Sequence, residues 1–200
     1  NDGLSINDPN TFTRYDFNSF GIIDLCQKGS TGKTLYVATG YQGGGVSSID
    51  FEAKTMVQNV YQNANIRAMD YGGSNIYLLT QTQIVKLENT NLTEVATANI
   101  LNESNTDSRS NLFIDNNVLI CGLGKYGTQI YNRIDLSFVD SIPQVNFSVP
   151  KDGRMTLYKN FTVTNGAYSY DQWLFTASGG AGIFAYQYSS SIGSLTNGSN

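Results

Sequence analysis

The chain has 200 residues, of which 40% are hydrophobic and 14% charged, a composition that supports a folded core and excludes an intrinsically disordered chain. Its net charge is −4 and its 12 Lys and Arg residues are scattered singly, so it lacks the basic stripe that neutralises nucleic-acid phosphates. We therefore expect no nucleic-acid partner and no polybasic contact with a membrane surface.

The sequence also lacks the features of a membrane-spanning protein. No apolar run approaches the roughly 20 residues that a transmembrane helix needs, so we expect no membrane span. The chain begins at Asn1 and shows no signal-peptide pattern, which we interpret as a processed product or an excised segment. The low share of charged residues, replaced by Asn, Ser, Thr, Gly and Tyr, is typical of exported β proteins and predicts an extracellular or cell-surface location.

Four strongly apolar runs follow one another along the chain. They are LYVATG from Leu35, IYLLTQ from Ile76, VLICGL from Val118 and WLFTAS from Trp173, and they start 41, 42 and 55 residues apart. The first two intervals match the period of about 40–45 residues of a four-stranded propeller blade. The third interval indicates an insertion of 13 residues beyond the preceding one.

Each apolar run has the same neighbours. Before it lies a segment that ends in an acid, at Asp24, Asp70, Asp115 and Asp171. After it come a turn, a second β-type run (VSSID, QIVKLE, QIYNRID, GIFAYQ) and a weaker fourth one (TMVQNVY, LTEVATA, LSFVDSI, SIGSL). The enrichment in β-branched and aromatic residues between Gly, Asn and Asp turns predicts four strands per repeat.

The repeats predict an all-β fold, a β-propeller-like array of four-stranded antiparallel blades, with about four blades here, either complete or as part of a larger ring. We expect one domain overall. Its predicted parts are an N-terminal segment (1–20), blade 1 (21–61), blade 2 (62–100), blade 3 (101–142) and blade 4 (143–200), with the insertion at 143–164.

Two of the repeats resemble a known family. YVATGYQGGGVSSID and LFTASGGAGIFAY are similar to the LVIVD-type β-propeller repeats of exported bacterial proteins, with ICGLGKYGTQIYNRID a looser copy and IYLLTQTQIVKLE lacking the glycines. The resemblance implies a propeller outside the cytoplasm, at the cell surface, with no assigned activity.

Candidate catalytic and metal sites are few. The absence of histidine excludes Ser-His-Asp and Cys-His catalysis and His-ligated zinc. GSTGKT lacks the first glycine of a phosphate-binding loop and leads into a strand, so we interpret it as a hairpin turn. The glycine runs Gly43–Gly45 and Gly179–Gly180 are interpreted as turn glycines that supply a positive φ, in preference to a ligand-binding loop. The strand-end acids Asp50, Glu88 and Asp135 are interpreted as bonding their own turns in preference to a ring of calcium ligands. The same turn role is expected for the acids before the apolar runs, Asp24, Asp70, Asp115 and Asp171. We expect no catalytic residue, metal or cofactor.

Several residues are candidates for modification or partner contact. Sequons occur at Asn91, Asn102, Asn146, Asn160 and Asn197, and DSI at Ser141 resembles an O-glycosylation motif. Insertions in repeats often form a binding face, so the insertion is a candidate partner contact or, equally, an extra hairpin. Its candidate contact residues are Lys151, Arg154, Tyr158 and Phe161.

The sequence leaves three functions open. The leading one is a non-catalytic module for binding or scaffolding, with a protein or glycan partner or self-association. The second is the structural subunit of an extracellular polymer or fibre. The third is a carboxylate-dependent, glycan-active enzyme. Cys26 and Cys121 are expected to be buried free thiols, with a disulfide as the alternative.

Overall fold

The computed structural model shows an all-β chain. It describes residues 3–8, 11–17, 21–29, 31–40, 44–63, 65–101, 110–143, 146–147, 160–161, 164–178, 182–191 and 193–197. None of these residues forms a helix long and apolar enough to cross a membrane. The chain divides into two compact units, 1–97 and 98–200.

Sixteen of the strands form four antiparallel sheets of four strands each, and the strand order within each sheet follows the chain. Sheet 1 is β3 (Ile22–Gln27), β4 (Thr34–Thr39), β5 (Gly45–Asp50) and β6 (Thr55–Gln62). Sheet 2 is β7 (Ile66–Gly72), β8 (Asn75–Thr80), β9 (Gln83–Glu88) and β10 (Glu94–Asn99). Sheet 3 is β11 (Asn111–Asp115), β12 (Val118–Gly122), β13 (Thr128–Asn132) and β14 (Phe138–Ile142). Sheet 4 is β17 (Gly166–Tyr170), β18 (Trp173–Ala177), β19 (Ile183–Tyr188) and β20 (Leu195–Asn197).

Two short hairpins complete the described strands. β1 (Gly3–Asp8) pairs with β2 (Thr11–Asp16) near the start of the chain. β15 (Asn146–Phe147) pairs with β16 (Asn160–Phe161) inside the predicted insertion. The predicted repeat of four antiparallel strands is thus confirmed, while the blade boundaries and the single domain stay predictions.

In the first unit, one face of sheet 1 packs on sheet 2. Tyr36 and Ala38 of β4 share a buried cluster with Ile76 and Leu78 of β8. These apolar runs are buried because each sheet has two apolar faces and needs a neighbour to cover them. The opposite face of sheet 1 is covered by Tyr15 of β2 and by Phe17, which comes just after β2. Both pack with Val37 and Ile49.

In the second unit, sheet 3 packs on sheet 4 in the same way. Val118 and Ile120 of β12 share a buried cluster with Ala167, Leu174 and Tyr188 of sheet 4. We call the face of a sheet that packs on the next sheet in the chain its forward face. Val118 and Ile120 lie on the forward face of sheet 3, as Tyr36 and Ala38 lie on that of sheet 1.

The glycine run before β5 differs from a simple turn. Glycines that supply a positive φ were expected there, yet neither Gly44 nor Gly45 adopts one. They are needed because the backbone comes close. A Cβ on Gly45 would lie 2.1 Å from the carbonyl oxygen of Tyr61, and one on Gly44 would lie 2.3 Å from that of Thr39.

Candidate binding surface

Sheet 4 has an aromatic, open face that corresponds to the forward faces of sheets 1 and 3. Cross-strand register places Tyr168, Phe175 and Ala185 opposite one another in the central row of this face. One neighbouring row is Tyr170, Trp173 and Gln187, and the other is Gly166, Ala177 and Ile183. We call the side chains of Tyr168, Tyr170, Trp173, Phe175 and Ile183 the aromatic face.

Four of the five side chains of the aromatic face are exposed, and Phe175 is half-buried. Tyr170 and Ile183 are each 75% exposed, Tyr168 is 59% exposed and Trp173 is 41% exposed. Soluble proteins seldom leave a contiguous apolar patch of several side chains in water unless it binds something. Exposed and buried residues alternate along β18. In the equivalent strands β4, β8 and β12, by contrast, most residues are buried.

The equivalent positions in the other sheets show what such a face does. Trp173 follows a two-residue turn after Tyr170, as Val118 follows one after Asp115. Trp173 and Phe175 are thus the counterparts of Val118 and Ile120, which pack on the next sheet. The same kind of surface is buried by a sheet in sheets 1 and 3 and is open to solvent in sheet 4.

Hydrogen bonds between sheets 3 and 4 hold the aromatic face in place from behind. The amide of Asn111 donates to the carbonyl oxygen of Ala167 and accepts from its N–H, both at 3.0 Å. Asp115 accepts from the Ser169 hydroxyl at 2.7 Å and from the hydroxyl of Tyr188. These hydrogen bonds fix β17 and β19, two of the strands that present the aromatic face, against sheet 3.

The edge of the aromatic face is fixed by a ring contact. Phe113 of β11 lies against Tyr168, with ring centroids 4.1 Å apart and planes tilted by 34°. A close aromatic pair of this kind adds about 0.5–1.5 kcal/mol beyond area burial. Tyr168 is thus held in one position while more than half of it stays exposed.

A polar cleft of about 210 Å³ lies in the first unit. Its lining comes from sheet 1 and from the β9–β10 turn: Lys28, Thr34, Tyr36, Ser48, Val60, Asn89, Thr90 and Leu92. The Tyr36 hydroxyl donates to the carbonyl oxygen of Asn89 at 2.8 Å, and burial raises the pKa of Tyr36 to about 12. Tyr36 is therefore a neutral hydrogen-bonding group in the lining of the cleft at ordinary pH.

The strand-end acids bond their own turns, as predicted. Asp50 accepts from the N–H groups of Glu52 and Ala53 at 3.0 and 2.8 Å. Glu88 accepts from the N–H of Asn91 at 3.2 Å, and Asp135 from the N–H of Ser137 at 3.0 Å. Within the described residues, no group of three or more Cys, Asp or Glu side chains has the geometry to hold a metal ion.

The acids before the apolar runs act differently from the prediction. A turn role was expected for all four, but Asp24 lies within β3 and accepts from the N–H of Met69 in sheet 2 at 2.8 Å. Asp115 likewise bonds sheet 4 through Ser169. The turn interpretation is incomplete for these two. Asp24 also accepts from the N–H of Leu25 and Asp115 from the side chain of Asn116, but each binds the next sheet as well. Of the four acids, Asp171 adopts a turn conformation, with a positive φ of 56°.

The candidate glycosylation sites lie in different settings. Asn91 is in an exposed turn, where its side-chain oxygen accepts from the Thr93 N–H at 3.2 Å. Ser141 lies in β14 and is half-buried. Asn146, Asn160 and Asn197 are in β15, β16 and β20, and Asn102 lies outside the described residues.

The insertion contributes little to the described structure. Phe161 is in β16, paired with Asn146. Lys151, Arg154 and Tyr158 lie outside the described residues, so their role as partner contacts stays a prediction. The extra hairpin foreseen as the alternative corresponds to the short β15–β16 pair.

Both cysteines are free thiols. Cys121 is buried and Cys26 is half-buried, and burial raises the pKa of each thiol. The prediction of free thiols is therefore confirmed, and the alternative of a disulfide is wrong.

No protein-family model and no curated protein sequence matches the chain. Solved structures do. The chain is similar to the computationally designed Ika4 protein (8% identity, TM-score 0.58), of which it covers 94% with 86% of its own length. It is also similar to BamB from Moraxella catarrhalis (12% identity, TM-score 0.59), with 92% of this chain covering 51% of BamB. A third match is a europium-containing methanol dehydrogenase (16% identity, TM-score 0.55), with 82% of this chain covering 39% of that protein.

The fold is a β-propeller fold. BamB and the methanol dehydrogenase are β-propeller proteins, and this chain shares their array of four-stranded antiparallel sheets. The chain spans about half the length of BamB and less than half that of the dehydrogenase. At these identities the likeness concerns the fold alone.

Proposed function

We propose that this chain is a non-catalytic binding or scaffolding module that works outside the cytoplasm, and that its aromatic face holds a protein partner. The observation that carries the proposal is the exposure of Tyr168, Tyr170, Trp173 and Ile183 on a face whose equivalents bury a neighbouring sheet. Exposed aromatic residues are the side chains that dominate the energetics of protein interfaces.

A protein partner fits this face better than a glycan. Beside the aromatic rings lie Ile183, Ala177 and Ala185, which offer aliphatic contact and no hydrogen bonds. A sugar has hydroxyl groups that lose water on binding and need polar partners in return. The hydrogen-bonding groups in the rows of this face are the Gln187 amide, the hydroxyls of Tyr168 and Tyr170 and the indole N–H of Trp173, each at the edge of an apolar surface.

The described acids support a non-catalytic role. Asp50, Glu88 and Asp135 hold turns, and Asp24 and Asp115 hold neighbouring sheets together. Acid–base catalysis needs carboxyl groups that reach a substrate. These carboxyl groups have structural hydrogen bonds instead.

The extracytoplasmic location and the LVIVD-type repeats belong to the same proposal. They rest on the motifs around Gly43–Gly45 and Gly179–Gly180, on the low charged fraction of 14% and on the exposed sequon at Asn91. Peptide mapping of the native protein checks the sequon, since a glycan at Asn91 adds mass to the peptide that contains it.

Site-specific crosslinking tests the binding function. A photoreactive phenylalanine analogue replaces Tyr170. In the control it replaces Val57, which lies on the outer strand β6 and is 58% exposed. In the native setting we expect an adduct of one defined mass from position 170, none from position 57, and loss of the adduct when Ile183→Asp is added. Equal adducts from both positions, or none from position 170, would contradict the proposal.

A further inference from the structure

The aromatic face is electrically neutral. None of the residues in its three cross-strand rows is charged, although the chain as a whole carries a net charge of −4. Two negatively charged chains can meet at such a face without bringing like charges together. A partner selected by opposite charge would instead need charged groups on this surface.

The rows of the face differ in size from one end to the other. The row next to the β17–β18 turn contains Tyr170 and Trp173, and the row at the opposite end contains Gly166 and Ala177. A two-fold axis that lies between the two faces and runs parallel to the central row places the bulky row of one copy over the small row of the other. Isologous contacts of this kind, in which one patch serves both subunits, are the commonest in homodimers.

The exposed area is suited to a reversible contact. An aromatic side chain presents about 150–250 Å², so the exposed parts of Tyr168, Tyr170, Trp173 and Ile183 amount to roughly 400–500 Å². Two copies then bury roughly 800–1,000 Å² between these side chains, near the lower limit for a specific interface. Such an interface gives a dimer that dissociates on dilution.

We propose that the occupant of the aromatic face is a second copy of this chain, docked face to face about a two-fold axis. The inference rests on the proposed function, because it names the partner of the same face. Sheet 2 covers the forward face of sheet 1, and sheet 4 covers that of sheet 3. In the dimer, sheet 4 of the second copy covers the aromatic face of the first copy.

Sedimentation velocity of the purified chain under reducing conditions tests the proposal. The reductant prevents a crosslink through the half-buried Cys26. Over a concentration series of about 1–200 μM, we expect the average mass to rise from the 21.9 kDa of one chain towards twice that value. Tyr170→Asp and Ile183→Asp each raise the dissociation constant at least tenfold, because each buries an unpaired charge in the dimer.

Val57→Asp is the matched control, since Val57 is 58% exposed and lies on a different sheet, and it should associate as the unchanged chain does. A single chain at every concentration would overturn the proposal, as would association that neither sheet 4 variant weakens or that Val57→Asp weakens equally. If the chain sediments as a monomer but the crosslink at position 170 still forms with another protein, the second copy is refuted and the proposed binding function stands.

Discussion

At the scale of single residues, two side-chain amides pair with backbone groups as a neighbouring strand would, each donating one hydrogen bond and accepting another. Asn111 makes two hydrogen bonds to Ala167, and Gln129, which is buried, makes two to the backbone of Leu101 at 3.2 Å each. A Cβ on Gly122 would lie 2.1 Å from the Asn111 oxygen, so a glycine is needed beside this amide. Each amide satisfies a donor and an acceptor that would otherwise be lost to the interior.

Replacing Asn111 tests this role. Asn111→Ala removes both hydrogen bonds to Ala167 and leaves two backbone groups unpaired, so we expect the free energy of unfolding to fall by about 1–3 kcal/mol. Denaturant unfolding followed by circular dichroism measures it. Asn117→Ala is the control, because Asn117 is an exposed turn residue whose backbone oxygen accepts from the Arg133 N–H. A loss of equal size in the two variants would show that the amide of Asn111 has no special role.

The pKa of Tyr36 predicts a loss of stability in alkali. Burial, the main cause, and the nearby Tyr71, the second, raise the pKa of Tyr36 from 10.0 to about 12. Between these pH values the tyrosine therefore loses its proton in the unfolded chain before it does so in the folded one. The free energy of unfolding therefore falls as the pH rises through this window, and the contribution is fully present below pH 10.

Tyr36→Phe separates this effect from other tyrosines. The variant loses the hydrogen bond to Asn89 at every pH, but its stability should fall less steeply between pH 10 and 12 than that of the unchanged chain. Urea unfolding across that range measures the slope. Parallel curves would mean that Tyr36 does not titrate with a raised pKa.

Local residue roles were partly predictable from sequence. The turn bonds of Asp50 and Asp135 follow from neighbours two or three residues away, and the structure confirms them. The inter-sheet bonds of Asp24 and Asp115 were missed, since their partners are 45 and 54 residues distant and nothing local indicates them.

At the scale of elements, the four-strand repeat was predictable because it is carried by local patterning. Apolar runs bounded by Gly, Asn and Asp turns give strand positions directly. The exact strand ends were not predictable, since β8 begins at Asn75, one residue before the apolar run from which the repeat was measured. The glycines before β5 were assigned to a positive φ, while the structure shows a close approach to the Tyr61 carbonyl, which depends on how β5 pairs with β6.

Two glycines of the first unit test the role of close approach. Gly45→Ala forces a shift of β6, because the added Cβ lies 2.1 Å from the Tyr61 oxygen, and we expect a loss of about 1–3 kcal/mol in stability. Gly21→Ala is the control, as nothing lies within 4 Å of its Cβ and its φ is not positive, so its effect should stay within about 1 kcal/mol. Thermal unfolding of the two variants compares them, and equal losses would contradict the explanation.

At the scale of the whole molecule, the propeller fold was predictable and the exposure of the aromatic face was not. The alternation of Tyr168 and Tyr170 with small residues in GAYSY is visible in the sequence, but it equally fits a strand whose two faces are both buried. Whether such a face is open depends on what packs against it, which is a property of tertiary structure. The insertion was preferred as the contact region because its sequence departs from the repeat, and the aromatic face departs only in exposure.

Trp173 reports directly on whether the aromatic face is a binding surface. Trp173 is the single tryptophan of the chain and is 41% exposed, so its fluorescence comes from this face alone. The measurement is acrylamide quenching of the dilute isolated chain and of the protein in its native assembly. We predict that the quenching constant falls several-fold and the emission shifts to the blue in the assembly, because the partner excludes water and quencher. Equal quenching and equal emission in both samples would show that no partner covers the aromatic face.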